Sequence, residues 1–348
     1  MQKKTVAILF GGVSPEHGVS CVSAASVMRS IDTNLYDVIK IGITRDGRWL
    51  ETNATPNEIE NDLWYGTEVS FSLSRGKNCG LELLRGCVRP DCIFPVMHGE
   101  NGEDGSIQGL CKVAGIPCVG CGIAASAIGM DKIFTKQICM LNGIPQADYV
   151  SATDDNSDDF ASTVAAVENK FDYPVFVKPA NTGSSIGVSK AKDRDSLIKA
   201  LTTAKKYDRR VLIEEFIDGQ ELEVAVLENG PWNIVSSCVG KIVPAGEFYT
   251  YEAKYQDDSE LFVSPDIGEE KTAQIKALAE RVFSILGCEG LSRVDFFLEK
   301  KSGKLIFNEI NTLPGFTGIS MYPMLMGHSG IAYSDLISIL IETAIKKG

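Results

Sequence analysis

Apolar residues in the first third of the chain fall into short runs separated by turn signals. Residues 5–10 form a compact β-type run that ends at Gly11-Gly12. A Ser/Ala/Val segment from about 20 to 31 reads as a helix, and 38–43 and 92–96 read as further strands. This βαβ rhythm predicts a mostly parallel, helix-covered sheet. A helix over 131–141 stops at Asn142-Gly143-Ile144-Pro145, a cap followed by a breaker. The polar run 151–159 predicts a surface connection. Beyond it come a strand at 174–178, a glycine-rich turn, a helix near 195–207 and a strand at 211–215, with 221–227 expected to pair beside that strand. Residues 247–265 are polar, aromatic and acidic without a period, which predicts a long loop of the lid type. The chain closes on a helix with Leu336, Ile339, Leu340 and Thr343 on one face. Domain boundaries are expected near 130 and 212.

Composition narrows the classes. The 348 residues are 44% hydrophobic and 23% charged, enough for a sizeable core and unlike a disordered chain. Acids outnumber bases 46 to 34, for a net charge of -12. That balance argues against nucleic acid and anionic membranes as partners, although a local basic cleft could hold an anionic nucleotide. The first apolar run is too short for a signal segment and no stretch is long enough to span a membrane, so a cytoplasmic protein is expected. The ten cysteines are scattered in apolar surroundings and read as small buried hydrophobes. Cys118 and Cys121 form a C-x-x-C with no second pair at zinc spacing. With three histidines in the chain, a Ser-His-Asp triad is not expected.

Candidate chemistry concentrates in a carboxylate hairpin. The runs 291–298 and 304–311 flank the turn candidate 299–303. Strand alternation puts Arg293 with Asp295 on one face, and Glu309 with Asn311 on one face. A regular hairpin centred on 302 sets Asp295 opposite Glu309. Like charges in that position repel, and a divalent cation would convert repulsion into chelation. Oxygen donors of this kind suit Mg²⁺ or Mn²⁺. The alternative is an exposed hairpin with solvated acids, against which Phe296, Phe297, Ile306 and Phe307 are too apolar.

Other signals are weaker singly. Val177-Lys178-Pro179 leads into Thr182-Gly183-Ser184-Ser185-Ile186-Gly187, a lysine beside a donor-rich loop that could hold phosphates. No Walker A or dinucleotide fingerprint is present. Glu214, Glu215 and Glu221 stand at a strand end, able to accept bonds from an aminopurine or ribose or simply to be solvated. His98-Gly99 through Glu103-Asp104-Gly105 follows a strand, where open α/β sheets carry ligands.

Together and in order, these pieces resemble the D-alanine–D-alanine ligases of the ATP-grasp superfamily and their D-alanine–D-serine relatives. The resemblance runs from Phe10-Gly11-Gly12 to Tyr333-Ser334-Asp335-Leu336. It also rests on Met130-Asp131-Lys132, Tyr251-Glu252-Ala253-Lys254-Tyr255, Ser292-Arg293-Val294-Asp295 and Asn308 through Thr317. It implies an α/β chain, α+β in its C-terminal half, in three domains. These are an N-terminal substrate domain at 1–130, a central ATP-grasp subdomain at 131–212, and a C-terminal ATP-grasp domain at 213–348 with the metal hairpin and the lid 247–265. ATP would lie between the last two.

The resemblance further implies Lys132, Lys178, Ser185 and Lys254 at the nucleotide, and Glu214, the backbone of Ile217 and Glu221 at adenine and ribose. Asp295, Glu309 and Asn311 would hold two Mg²⁺ or Mn²⁺ ions. Glu16 would take the first D-alanine's ammonium and join Ser184 and Tyr255 in a triad. Ser320 would bind the second substrate's carboxylate, and Arg293 with the Gly315 amide would steady the tetrahedral intermediate. A homodimer is expected. The reaction would pass through an acyl phosphate and supply a peptidoglycan precursor. Lys254-Tyr255, and Met321 where resistance ligases usually carry Arg, resemble the D-alanine form, with Met321 expected to line the second-substrate pocket. Gly318 stands where many members have Ser. The D-serine reading stays open, as do a ligase for another carboxylate and amine and a silent nucleotide-binding protein.

Overall fold

The computed structural model describes residues 2–73, 80–83, 86–153, 160–230, 233–243 and 260–348. The first apolar run is the strand Lys4–Gly11, flanked in parallel by Tyr36–Ile43 and Cys92–Pro95. Central parallel strands are buried on both faces, so Val6 through Phe10 are all fully buried and the run shows no alternation. Val6, Ile8 and Phe10 pack on the helices His17–Ser30 and Tyr333–Lys347, while Ala7 and Leu9 pack on Ser106–Ala114. Two short antiparallel strands, Trp49–Glu51 and Thr67–Glu68, extend the edge.

A second, antiparallel sheet runs in the order Ser189–Ala191, Val175–Pro179, Val211–Glu215, Tyr149–Ala152. Val175, Val177, Val211 and Ile213 face the helices Ala161–Lys170 and Arg194–Ala204. The alternate positions, Leu212 and Glu214 with Lys178, face the other way. There Leu212 meets Ile133 of the helix Lys132–Leu141. Asp131 caps that helix, accepting from the Ile133 and Phe134 amides at 3.0 Å.

The third sheet is antiparallel throughout: Glu260–Val263, Ile234–Val243, Gly219–Glu228, Leu291–Glu299, Leu305–Asn311. One face, with Leu222, Val224, Val294 and Phe296, buries the stripe Ile275, Ala279, Val282 and Phe283 of the helix Glu269–Ile285. On the opposite face, Ala225, Leu227 and Leu291 meet the helices Met321–His328 and Tyr333–Lys347. The remainder of that face carries acids. No single described helix is long and apolar enough to cross a membrane.

Two expectations need correction. Strand 219–228 does not pair with 211–215; the two belong to different sheets, because residues 216–218 carry the chain from one to the next. Within 247–265, residues 260–263 are a strand paired with 240–243 rather than loop. Residues 244–259, with Lys254 and Tyr255, lie outside the described residues.

Candidate active site

The acids of the third sheet form a row across three strands. Glu223 stands opposite Asp295, and Asp295 opposite Glu309. A regular continuation of the turn-side pairs Phe296–Phe307, Phe297–Ile306 and Leu298–Leu305 would have set Asp295 against Asn308. An irregularity at Asp295/Phe296 shifts the register by one residue. This bulge, with Phe307 and Ile310 both in the core and Asn308-Glu309 between them, turns Glu309 toward Asp295. The expected pairing is present, but through a bulge and not a regular hairpin.

Arg293 lies in the neighbouring row, paired with Asn311. Its Nε and Nη2 donate to the two carboxylate oxygens of Asp295 at 2.8 and 2.6 Å, and Nε is 3.1 Å from Glu223 Oε2. Burial alone would lower the Arg293 pKa, but Asp295, Glu223 and Glu309 hold it well above the ordinary arginine value. Charge density of this kind, made of oxygen donors on rigid strands, fits a hard divalent cation. Asp295, Glu309 and Asn311 are the residues that would hold it. Glu223, only 3 % exposed, belongs to the same row and was not among the sequence candidates; its signal was the alternation Glu221-Leu222-Glu223-Val224.

The second node is Glu214. Lys178 Nζ lies 2.5 Å from its Oε2 and Lys136 Nζ 2.5 Å from its Oε1. Burial pushes the Glu214 carboxyl up, but the two ammonium groups outweigh it and bring it to about 2. Burial likewise pushes Lys178 down, and Glu214, with smaller help from Glu309 and Glu221, holds it above the usual lysine value. Lys178 also donates to Asn308 Oδ1 at 3.3 Å, which joins this node to the bulge. Lys132 reaches from the helix start to the Thr182 carbonyl at 2.5 Å. Glu214→Gln would leave two buried cations short of their counter-charge, with an expected loss of about 3–5 kcal/mol in denaturant unfolding at pH 7. Because the folded pKa is depressed, Glu214's contribution is full above its unfolded value of 4.5 and is lost as pH falls through about 2. The variant should therefore show a flatter stability profile in that window; an unchanged profile would refute the assignment.

The glycine-rich loop carries two consecutive non-glycine residues at positive φ, Ser184 at 46° and Ser185 at 58°. Such conformations cost of order 1–3 kcal/mol each and need a local reason. Ser184 Oγ donates to Glu16 Oε1, 168 residues earlier in the chain. Glu16 is 5 % exposed and sits at the N-cap of His17–Ser30, near the helix's positive end. Behind it, His98 Nδ1 lies 3.8 Å from Glu103 Oε1 and Nε2 lies 3.3 Å from Ser23 Oγ. Burial would lower the His98 pKa, but Glu103 and then Glu16 raise it above the ordinary value. A Cβ at Gly99, φ 68°, would come within 2.8 Å of Glu16 Oε2, so only glycine lets the 97–105 turn approach this carboxylate.

Ser320 Oγ accepts from the Thr317 amide at 3.0 Å and lies 2.8 Å from Thr317 Oγ1, which fixes the turn beside Gly315. A Cβ on Gly315 would stand 2.9 Å from Ser320 Oγ. Ile217 and Glu221 are half-buried on the segment that leaves Glu214. Met321 is not where it was expected. It is 5 % exposed and belongs to the core, where a Cβ at Gly240 would meet its sulfur at 2.9 Å; it does not offer an open pocket wall. The nine described cysteines are all free. Cys118 and Cys121 donate to the carbonyls of Val119 and of Glu289 and Leu291.

Residues 5–121 match the family model described as D-ala D-ala ligase N-terminus, and residues 138–342 match the D-ala D-ala ligase C-terminus. The chain belongs to the D-ala D-ala ligase family. It is 49% identical over 365 residues to the D-alanine--D-alanine ligase of Ruminiclostridium cellulolyticum, covering 100% of this chain and 96% of that one. It is 48% identical to that of Clostridium novyi, covering 99% of each. Among solved structures, VanG D-Ala:D-Ser ligase from Enterococcus faecalis superposes with a TM-score of 0.90 at 36% identity, covering 99% of this chain and 100% of that chain. The D-alanine-D-alanine ligase from Coxiella burnetii gives 0.86 at 31%, covering 100% and 95%. The D-ala D-ala ligase family is one of ATP-dependent ligases with the ATP-grasp fold, and the three sheets above are its layout here.

Proposed function

We propose that the chain ligates two D-alanine molecules to D-alanyl-D-alanine at the expense of ATP, supplying a peptidoglycan precursor. The observation that carries this reading is the convergence of the acid row, the Glu214 lysine node and the Glu16–Ser184 contact in one chain of this family. Lys178 and Lys132 serve the phosphates, with Ser185 and Lys254. Glu214, the Ile217 backbone and Glu221 serve adenine and ribose. Asp295, Glu309 and Asn311 would hold two Mg²⁺ or Mn²⁺ ions, which would neutralise phosphate charge when bound.

A carboxylate is a poor electrophile at neutral pH, so the first D-alanine is taken through an acyl phosphate. Glu16 places its ammonium, and Ser184 holds Glu16 in turn. The second amine attacks the acyl carbon and phosphate leaves; Arg293 and the Gly315 amide take up the oxyanion charge, and Ser320 holds the second carboxylate. The acyl phosphate must be kept from water, a role that falls to the stretch carrying Tyr255, which lies outside the described residues. The division into substrate, central and C-terminal domains at 1–130, 131–212 and 213–348 belongs to the same reading. So do a homodimer, checked by light scattering, and a cytoplasmic location.

The likeness to a D-Ala:D-Ser ligase keeps a second reading in view. A methyl and a hydroxymethyl differ by one polar atom, and an apolar pocket discriminates them by a ceiling of about a hundredfold. With D-alanine saturating the first site, kcat/KM should rank D-alanine above D-serine, with negligible D-lactate. D-serine ranking first would make this a D-alanine–D-serine ligase. No phosphate release with any pair would remove the ligase reading altogether.

A further inference from the structure

Lys136 is the second lysine on Glu214, and no motif pointed to it. It lies one turn beyond Lys132 on the helix Lys132–Leu141, at 2 % exposure. Beyond its 2.5 Å contact with Glu214 Oε1, its Nζ donates to the Ala147 carbonyl at 3.2 Å and stands 5.8 Å from the centre of the Tyr149 ring. Gln146 Nε2 donates to its own carbonyl at 2.9 Å. The charged groups acting on Glu214 are Lys136 from the helix and Lys178 from the adjacent strand; Glu309 and Glu221 act on Lys178. Across the sheet, Glu214 is paired with Tyr149 and Phe176.

The two lysines are not equivalent. The Lys178 side chain is 15% exposed and also reaches Asn308 beside the acid row; the Lys136 side chain is 2% exposed and points only inward. Lys178 can therefore turn to phosphates when a nucleotide arrives. Glu214 would then lose one counter-charge while remaining buried. A buried carboxyl with too little counter-charge takes up a proton. That proton would change what it reads, because a carboxylate only accepts hydrogen bonds whereas a carboxylic acid also donates.

We propose that Lys136 is a positioning residue that keeps Glu214 an ionised acceptor after Lys178 has turned to the phosphates, and that the pair thereby selects a 6-amino purine over a 6-oxo purine. This rests on the ATP-ligase reading above. A 6-amino group donates to the carboxylate oxygen that Lys178 vacates. A 6-oxo group presents a lone pair to the same oxygen and is rejected. Without Lys136, a neutral Glu214 would donate to the 6-oxo group and the rejection would fade.

The test uses the full chain with Lys136→Met, Lys136→Arg and the double change Lys136→Met with Glu214→Gln. Equilibrium binding of Mg²⁺–ATP and Mg²⁺–ITP is measured by calorimetry, alongside D-alanine-dependent phosphate release with each nucleotide. The parent should prefer ATP. In Lys136→Met that preference should narrow by about tenfold or more in both measurements, while Lys136→Arg stays within about threefold of the parent. A folded Lys136→Met that binds both nucleotides more weakly but keeps the parent's ratio would overturn the proposal, as would Lys136→Arg losing the ratio as fully as Met. If Lys136→Met does not fold, the double variant decides, since it removes charge and counter-charge together. Gln both donates and accepts, so ATP and ITP should bind nearly alike; a retained preference would overturn the proposal. A parent that ligates with ATP and ITP equally refutes this inference alone, whereas a parent that neither binds ATP nor ligates refutes the reading beneath it.

Discussion

Glu309→Gln should abolish ligation, with kcat falling by about a thousandfold or more, while the nucleotide-free protein keeps or slightly gains stability. Both halves follow from one register. The bulge at Asn308 brings Glu309 opposite Asp295, which already stands opposite Glu223. Three carboxylates in one row repel one another, and the single Arg293 guanidinium among them offsets only part of that repulsion. Removing one charge relieves that repulsion, and the isosteric amide leaves the core positions Phe307 and Ile310 on the other face untouched. In the reaction the same change removes an anionic donor to the divalent ion, so Mg²⁺–ATP should bind more weakly too. Steady-state kinetics, nucleotide titration and thermal unfolding of the free protein check the three statements together. Full activity in the variant would remove the metal assignment; a large loss of apo stability would mean that the attraction of Arg293 and Lys178 for Glu309 outweighs the repulsion within the row.

Arg293→Met should have a comparably large effect on turnover but the opposite effect on the free protein. Arg293 donates to both oxygens of Asp295 and lies within 3.1 Å of Glu223. Taking away one partner of a buried, hydrogen-bonded ion pair typically costs about 3–5 kcal/mol, because the remaining charge is left desolvated. The turnover loss, about a hundred- to a thousandfold, comes from losing a cation placed where oxyanion charge develops. A distinguishing sign is expected from Mg²⁺ without nucleotide. The variant's acid row is more negative, so added Mg²⁺ should raise its melting temperature more than it raises the parent's. An equal Mg²⁺ response in both proteins would show that the row and the arginine are not electrostatically coupled.

The hairpin shows how a correct expectation can rest on an incomplete cause. From the sequence, symmetry about residue 302 pairs Asp295 with Glu309. In the structure the turn-side register would have missed by one residue, and the bulge restores it. The trace of that bulge was legible as two adjacent polar residues, Asn308-Glu309, between apolar Phe307 and Ile310, where strict alternation permits one. Glu223 was legible in the same way, two residues after Glu221 on a strand.

Lys136 had no such trace. In the sequence it is an ordinary polar position in a helix beginning at Asp131-Lys132, and polar positions usually face water. Its burial depends on which face of that helix lies on the second sheet, and on Glu214 arriving there from a strand nearly eighty residues later. Met321 erred in the opposite direction. Its position after Ser320 predicts a pocket wall, but the helix it opens turns its side chain onto Gly240.

Residue order alone determined the local elements. Apolar runs bounded by glycine became the parallel strands, Asp131 became a helix cap, and the motif spacing carried the family. Those outcomes depend on interactions within a few residues, where sequence distance and spatial distance agree. Tertiary structure alone decided which strands share a sheet, where the register slips, and which charges meet. The strands 211–215 and 219–228 are neighbours in sequence yet belong to different sheets, while Ser184 meets Glu16 and Lys136 meets Glu214 across long stretches of chain. Charge pairing of that kind is set by burial and by the packing of one layer on another, and neither is written in the spacing of any single segment.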